Sequence, residues 1–232
     1  MRIGIIGEFN PNYYTHLALN EAFIHSAEFL KSRFELQWIS TATIAEFFER
    51  EIHTLDGLLM AMGTPYCNMD AALKVIEYAR ENNIPLMAIC GGFQHVLIEY
   101  ARNVKGIHDA EHEETSPNAA NKIINALSCS LVGEKENLNV IDDNSLTAKI
   151  LDEKEFEGKY HCSYGLNKNY EKILFDENLF PTVINAENEI RAIELKNHKF
   201  FIGTLFQHQL YSTPENPSKL LNAFVKVCNS DV

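Results

Sequence analysis

The run Pro85-Leu-Met-Ala-Ile-Cys90-Gly-Gly-Phe-Gln94 constrains the fold of this chain more than any other segment. Five mostly apolar residues end in a cysteine, two glycines follow at once, and a segment with helical periodicity begins. A strand that turns sharply into a helix at a nucleophile-type residue is an α/β device. The turn exposes the thiol, and the helix N-terminus behind it favours the thiolate. Glycines after the cysteine let backbone N–H groups approach a developing oxyanion.

The rest of the first half agrees with that reading. Residues 2–7, 35–39, 57–62 and 85–90 read as strands, the third apolar throughout and so buried on both faces. Helices are expected over 15–33, 44–51, 69–82 and 94–104, with Leu17, Ala22, Phe23, Ala27 and Leu30 along one face of the first. The pattern predicts a doubly wound α/β fold: a mostly parallel central sheet in a flavodoxin-like, three-layer arrangement with flanking helices. Functional residues are then expected at the carboxyl ends of the strands. The second half is less regular. Residues 109–121 read as a polar loop, 123–131, 138–140 and 182–184 as short strands, 189–195 and 199–205 as a strand pair, and 217–227 as a closing helix. No repeat, low-complexity tract or dividing linker interrupts residues 1–232, so a single domain is expected.

The 232 residues carry a net charge of −12, which disfavours nucleic acid and anionic membrane surfaces as partners. No apolar stretch approaches the roughly 20 residues of a membrane span. The five cysteines (Cys67, Cys90, Cys129, Cys162 and Cys228) show no CxxC pairing, which predicts a reduced, cytoplasmic setting. Cys162 beside His161 suggests a metal pair, but no second ligand pair has suitable spacing, so neither metal nor other cofactor is expected.

Several stretches together resemble the class I glutamine amidotransferase family, and most closely the glutaminase domain of CTP synthase. They are Ile3-Gly-Ile-Ile-Gly7, Leu55-Asp-Gly-Leu-Leu-Met60 leading to Gly63, Cys90-Gly-Gly-Phe-Gln-His-Val-Leu-Ile-Glu-Tyr-Ala-Arg102, Glu189-Ile-Arg-Ala-Ile-Glu194, and the segment from Phe206 to Pro214. Nothing in the sequence resembles the synthetase half. The resemblance implies a thiol that attacks a side-chain amide and releases ammonia through a thioester. It puts Cys90 at the nucleophile position and Gly63 at the oxyanion site. Gly91, Gly92, Phe93 and Gln94 fall at glutamine contacts, and Glu114 at the acid that receives the substrate amine.

Two departures bear on chemistry. The family motif Phe-His-Pro-Glu-Phe reads here Phe206-Gln-His-Gln-Leu210, so the triad positions hold Gln207 and Gln209. A carboxamide takes no proton near neutral pH. His208 is one residue out of register and serves as acid/base only if a turn brings it inward. His161 is a second candidate, and His16 is given no role. The family arginine that holds the glutamine carboxylate corresponds to Ser163, so a bidentate clamp becomes a hydroxyl. The expected function is therefore a Cys90-dependent amide hydrolase or amidotransferase acting on glutamine or a glutamine-like amide. The alternative is a silent relative that binds a ligand or a partner protein such as a synthetase. The oligomeric state is not legible in the sequence.

Overall fold

The computed structural model describes residues 1–229, and every structural statement below concerns those residues. The first half alternates β1 (Arg2–Ile6), α1 (Tyr14–Leu30), β2 (Glu35–Ile39), α2 (Thr41–Ile52), β3 (Gly57–Met60), α3 (Met69–Asn82), β4 (Leu86–Ile89) and α4 (Gly91–Asn103). The second half holds β5 (Ala110–His112), β6 (Asn121–Ala126), β7 (Lys135–Val140), α5 (Leu146–Leu151), β8 (Glu155–Lys159), β9 (Tyr164–Leu166), α6 (Glu171–Leu174), β10 (Leu179–Asn185), β11 (Ile190–Leu195), β12 (Phe201–Thr204) and α7 (Lys219–Cys228).

Nine of these strands form one mixed sheet in the order β2-β1-β3-β4-β12-β11-β10-β7-β8. The first five are parallel to one another, and the remaining four extend the sheet antiparallel. β3 and β4 are buried at every residue, as interior parallel strands must be. Helices cover both faces. Gly57 and Met60 are three apart on β3 and so point to opposite sides. Beneath Gly57 lie Phe224 and Cys228 of α7, and against Met60 lies Gly92 of α4. A second, three-stranded sheet, β5-β6-β9, contacts α4.

Tertiary packing moves several expected boundaries. The stretch read as a polar loop contains β5, because Ala110 and His112 are buried against α4. The strand expected over 123–131 ends at Ala126, and β8, β9 and α5 are additions. α1 turns Leu19, Ala22, Phe23 and Ser26 inward and leaves Leu17 exposed, so its buried face is rotated from the one expected. α4 begins at Gly91, three residues earlier than its periodicity predicts, since glycines carry no apolar signal. It is buried on all sides along most of its length, and Glu99 within it meets Arg80 of α3 at 2.8 Å. No helix is long and apolar enough to cross a membrane among the described residues.

A Cβ at Gly92 would stand 2.3 Å from the Met60 carbonyl oxygen, which is sheet backbone and cannot yield. Gly92→Ala is expected to lower stability by about 1–3 kcal/mol, read as an earlier urea midpoint at unchanged slope. An unchanged midpoint contradicts this packing.

Candidate active site

Cys90 stands between β4 and α4 with φ 53° and ψ −104°, a left-handed backbone that a non-glycine residue holds only when its surroundings enforce it. The enforcement is visible. The Cys90 N–H donates to the Thr204 carbonyl at the end of β12 at 2.7 Å, and Gln94 N–H closes the first helical turn on the Cys90 carbonyl at 3.1 Å. No side chain caps α4, so its first N–H groups remain available at the thiol.

The residues that follow β1, β3, β4 and β12 converge at one end of the parallel sheet around a cavity of about 410 Å³. Of the residues singled out in the sequence, Gly63, Cys90, Gln94, Glu114, His161, Cys162, Ser163 and Gln207 line it. Gly63 has φ +91°, and a Cβ there would meet the ring of His16 at 2.9 Å. His16, given no role on sequence, is buried and stacked on Trp38 with ring centroids 4.8 Å apart. It joins Met62 O through Nε2 at 3.1 Å and accepts from Asn10 N–H at Nδ1, so it supports the backbone beside Gly63.

Gln94 faces the cavity, but its carboxamide is already engaged. It donates to the Tyr164 carbonyl at 2.8 Å and accepts from His112 Nε2 at 3.1 Å. His112 Nδ1 in turn accepts the Glu114 N–H at 3.1 Å, and the Glu114 carboxylate accepts from Thr64 Oγ1 at 2.9 Å. Gln94 thus helps bind the small sheet to the elbow and holds Glu114 in place. The Phe93 side chain is fully buried and packs below Gly203 in the core, not in the cavity, which leaves its backbone as the part that can face a ligand.

The turn that would bring His208 to Cys90 does not form. β12 ends at Thr204 and a 3₁₀ turn starts at His208, whose Nδ1 meets Ser218 Oγ at 2.8 Å at the entrance to α7. Its ring lines a separate pocket with Phe156, Phe206 and Leu220, and desolvation holds its pKa down at about 3. Gln207 takes the place beside Cys90. Its carboxamide donates toward the thiol, while its own Oε1 accepts from Gln209 Nε2 at 3.0 Å. The two glutamines reproduce a side-chain relay in shape and carry no transferable proton near neutral pH. His161 lies at the cavity rim, exposed, with Nδ1 3.2 Å from the Tyr14 hydroxyl.

Sequence reasoning missed the neighbour of Cys90 that matters most to its charge. Cys162, buried in the same cavity wall, acts with the Gly91 N–H and Gln207 to hold the Cys90 pKa below the ordinary thiol value despite burial. The Cys90 sulfur also lies 4.0 Å from the His161 carbonyl oxygen. The neighbouring Cys90, together with burial, pushes the Cys162 thiol well above its usual range. The signal for it in the sequence is its place in the segment that carries Ser163. Among the described residues no three His, Cys, Asp or Glu side chains cluster to hold a metal ion. Among the described residues, Glu114 is the one acidic or strongly basic residue of the cavity wall.

Comparison with known proteins gives the family and the fold. The family described as glutamine amidotransferase class-I matches residues 15–227. A CTP synthase of Cytophaga hutchinsonii is 30% identical over 239 residues, covering 99% of this chain and 44% of that protein. One of Sulfolobus acidocaldarius is 29% identical, covering 99% and 45%. The chain therefore spans less than half the length of these relatives. The glutaminase domain of Trypanosoma brucei CTPS with bound acivicin shares the fold at a TM-score of 0.90 and 21% identity, covering 100% of this chain and 95% of that one. A glutamine amidotransferase of Thermotoga maritima shares it at 0.64 and 10% identity, covering 99% and 98%.

Cys90 and the exposed Cys67, whose pKa the neighbouring Glu8 raises, provide an internal comparison. The alkylation rate of Cys90 by iodoacetamide, followed by peptide mass mapping, is expected to rise at a lower pH than that of Cys67. The reverse order contradicts the hydrogen bonding described. Burial also lowers His208 and His112 to about 3 and His95 to about 4. The unfolded chain binds these protons near pH 6.5 and the folded chain does not, so stability is whole above 6.5 and falls as pH drops toward 4. Each such histidine steepens the fall by up to about 1.4 kcal/mol per pH unit, and His208→Gln is expected to flatten it in urea titrations at pH 7, 6, 5 and 4.

Proposed function

The chain belongs to the class I glutamine amidotransferase family, and from that premise we propose that it is a Cys90-dependent amide hydrolase or amidotransferase. Its preferred substrate is a glutamine-like primary amide that carries an amine and lacks the α-carboxylate. The observation that carries the reading is the cavity itself. A thiol with a lowered pKa faces a wall that holds Glu114 and neither lysine nor arginine among the described residues. A carboxylate is a natural partner for an ammonium group, and among the described residues this wall offers no guanidinium or ammonium to a carboxylate on the ligand. Ser163, where the family places its clamp, is occupied with Ser130 Oγ at 3.0 Å.

The steps follow from the residues. The Cys90 sulfur adds to the amide carbon, and the carbonyl oxygen gains charge beside the N–H groups of Gly63 and Gly91. Collapse expels ammonia and leaves a thioester, which water opens. The chain's own weakness is proton transfer, because Gln207 stabilises the sulfur without relaying a proton. General acid–base assistance contributes about 10²–10⁴-fold, so turnover is expected to be slow beside an imidazole-bearing site. A reducing compartment such as the cytoplasm suits a site with two neighbouring thiols. A synthetase that consumes ammonia is the partner this reading implies.

A second reading is favoured by the Gln207–Gln209 pair: a silent relative that binds an amine-bearing ligand and performs no hydrolysis. Ammonia release from L-glutamine and from its carboxyl-free analogue 4-aminobutanamide separates the two. The enzymatic reading expects release that is faster from 4-aminobutanamide, is abolished by Cys90→Ala, and rises at least tenfold in Gln207→His. Ser163→Arg is expected to shift preference toward L-glutamine. No release from a folded protein, with ligand-induced thermal stabilisation retained in Cys90→Ala, establishes the silent reading instead.

A further inference from the structure

We propose that His161 is the general base of the second half of the reaction, taking a proton from the water that opens the Cys90 thioester. The inference rests on the thiol mechanism above. Two contacts fix where His161 stands. Its carbonyl oxygen lies 4.0 Å from the Cys90 sulfur, so its backbone adjoins the atom that would carry the acyl group. Its ring stands at the rim, where Nδ1 lies 3.2 Å from the Tyr14 hydroxyl and the two rings meet edge to face with centroids 5.3 Å apart. Both residues line the cavity and both are exposed, so the imidazole stands where solvent enters.

Elimination leads to the same ring. Opening a thioester at neutral pH is helped by a group that takes a proton from water. Among the described residues of this wall, the imidazole of His161 and the carboxylate of Glu114 are the groups suited to that task. Glu114 accepts from Thr64 Oγ1 at 2.9 Å and is the proposed partner of the substrate amine. The other imidazoles near the site are committed. His16 joins Met62 O and Asn10 N–H, His112 joins Gln94 and the Glu114 N–H, and His208 lies in a separate pocket. His161 is engaged through Nδ1, and its Nε2 has no partner among the described residues.

The division of labour follows from position. Gln207 lines the cavity where the resemblance places an imidazole and moves no proton, so expulsion of ammonia stays unassisted. Water then reaches the acyl carbon from the open side, which is the side His161 occupies. In this role Nδ1–H donates to the Tyr14 oxygen and Nε2 holds the lone pair. The water oxygen forms a bond to the thioester carbon, the carbonyl π pair moves to oxygen, and Nε2 takes one water proton. When the pair returns, the carbon–sulfur bond breaks and the Cys90 thiolate departs. The carboxylic acid keeps the second water proton, and the imidazolium releases the first to solvent. No electrons are gained or lost overall, and no oxidant is required.

The test separates formation of the thioester from its decay. The full chain is acetylated with p-nitrophenyl acetate, the excess reagent is removed, and quenched samples are followed by peptide mass mapping at Cys90. The exposed Cys129 serves as an internal reference in the same digests. His161→Gln and His161→Ala are both expected to slow decay of the Cys90 acetyl adduct by about a hundredfold or more. Its formation is expected to stay within about threefold, because p-nitrophenolate leaves without a proton, and decay at Cys129 is expected not to change. Unchanged decay at Cys90 in both variants overturns the inference and leaves the thiol mechanism standing. Equal slowing of formation and decay assigns His161 a structural role and overturns it too. A wild-type Cys90 that takes up no acetyl group while Cys129 does overturns the inference together with the thiol mechanism beneath it.

Discussion

The backbone of Cys90 is the constraint on which the rest of the site depends. A φ of 53° in a non-glycine residue persists because its neighbours leave it no alternative. β4 is held on one side by β3 and on the other by β12, the Cys90 N–H is committed to Thr204, and Gly92 lets α4 sit directly on the Met60 carbonyl. Loss of the close approach at Gly92 would lift the helix and turn the thiol out of the cavity. The strained turn thus converts sheet packing, which is sequence-rich and apolar, into the position of one sulfur atom.

Around that sulfur the chemistry is unbalanced. Hydrogen bonds from Cys162, Gly91 and Gln207 favour a thiolate, yet the positions that would move protons hold two carboxamides. The cavity keeps one carboxylate, Glu114, supported through Thr64 and the His112–Gln94 network. The proposed change in selectivity and the proposed weakness in proton transfer rest on separate segments, Ser163 in one and Gln207 with Gln209 in another.

The small β5-β6-β9 sheet shows how much of this lay beyond local pattern. Residues 109–121 are polar and acidic, and nothing in their spacing marks a strand. Ala110 and His112 become strand residues because α4 offers an apolar wall and β6 offers backbone partners. His208 illustrates the same limit at one residue's scale. Its displacement from the triad position was visible in the sequence, but whether a turn would restore it depended on where β12 stopped. β12 stops at Thr204, the Thr204 hydroxyl binds the Phe206 carbonyl, and His208 is taken up by Ser218 at the head of α7.

What the sequence determined by itself was the α/β alternation of the first half, the elbow at Cys90, and the loss of an ionisable partner at positions 207 and 209. These are matters of periodicity, turn chemistry and side-chain identity, all local to the chain. What only the tertiary structure decided was which side chains share the cavity. Cys162 reaches Cys90 from 72 residues away, His16 supports Gly63, and Phe93 is drawn into the core. These pairings depend on how the small sheet docks on α4 and on how each chain segment rotates to bury its own apolar face. Burial and hydrogen-bond satisfaction of the whole molecule settle those rotations together, and no window of sequence contains them.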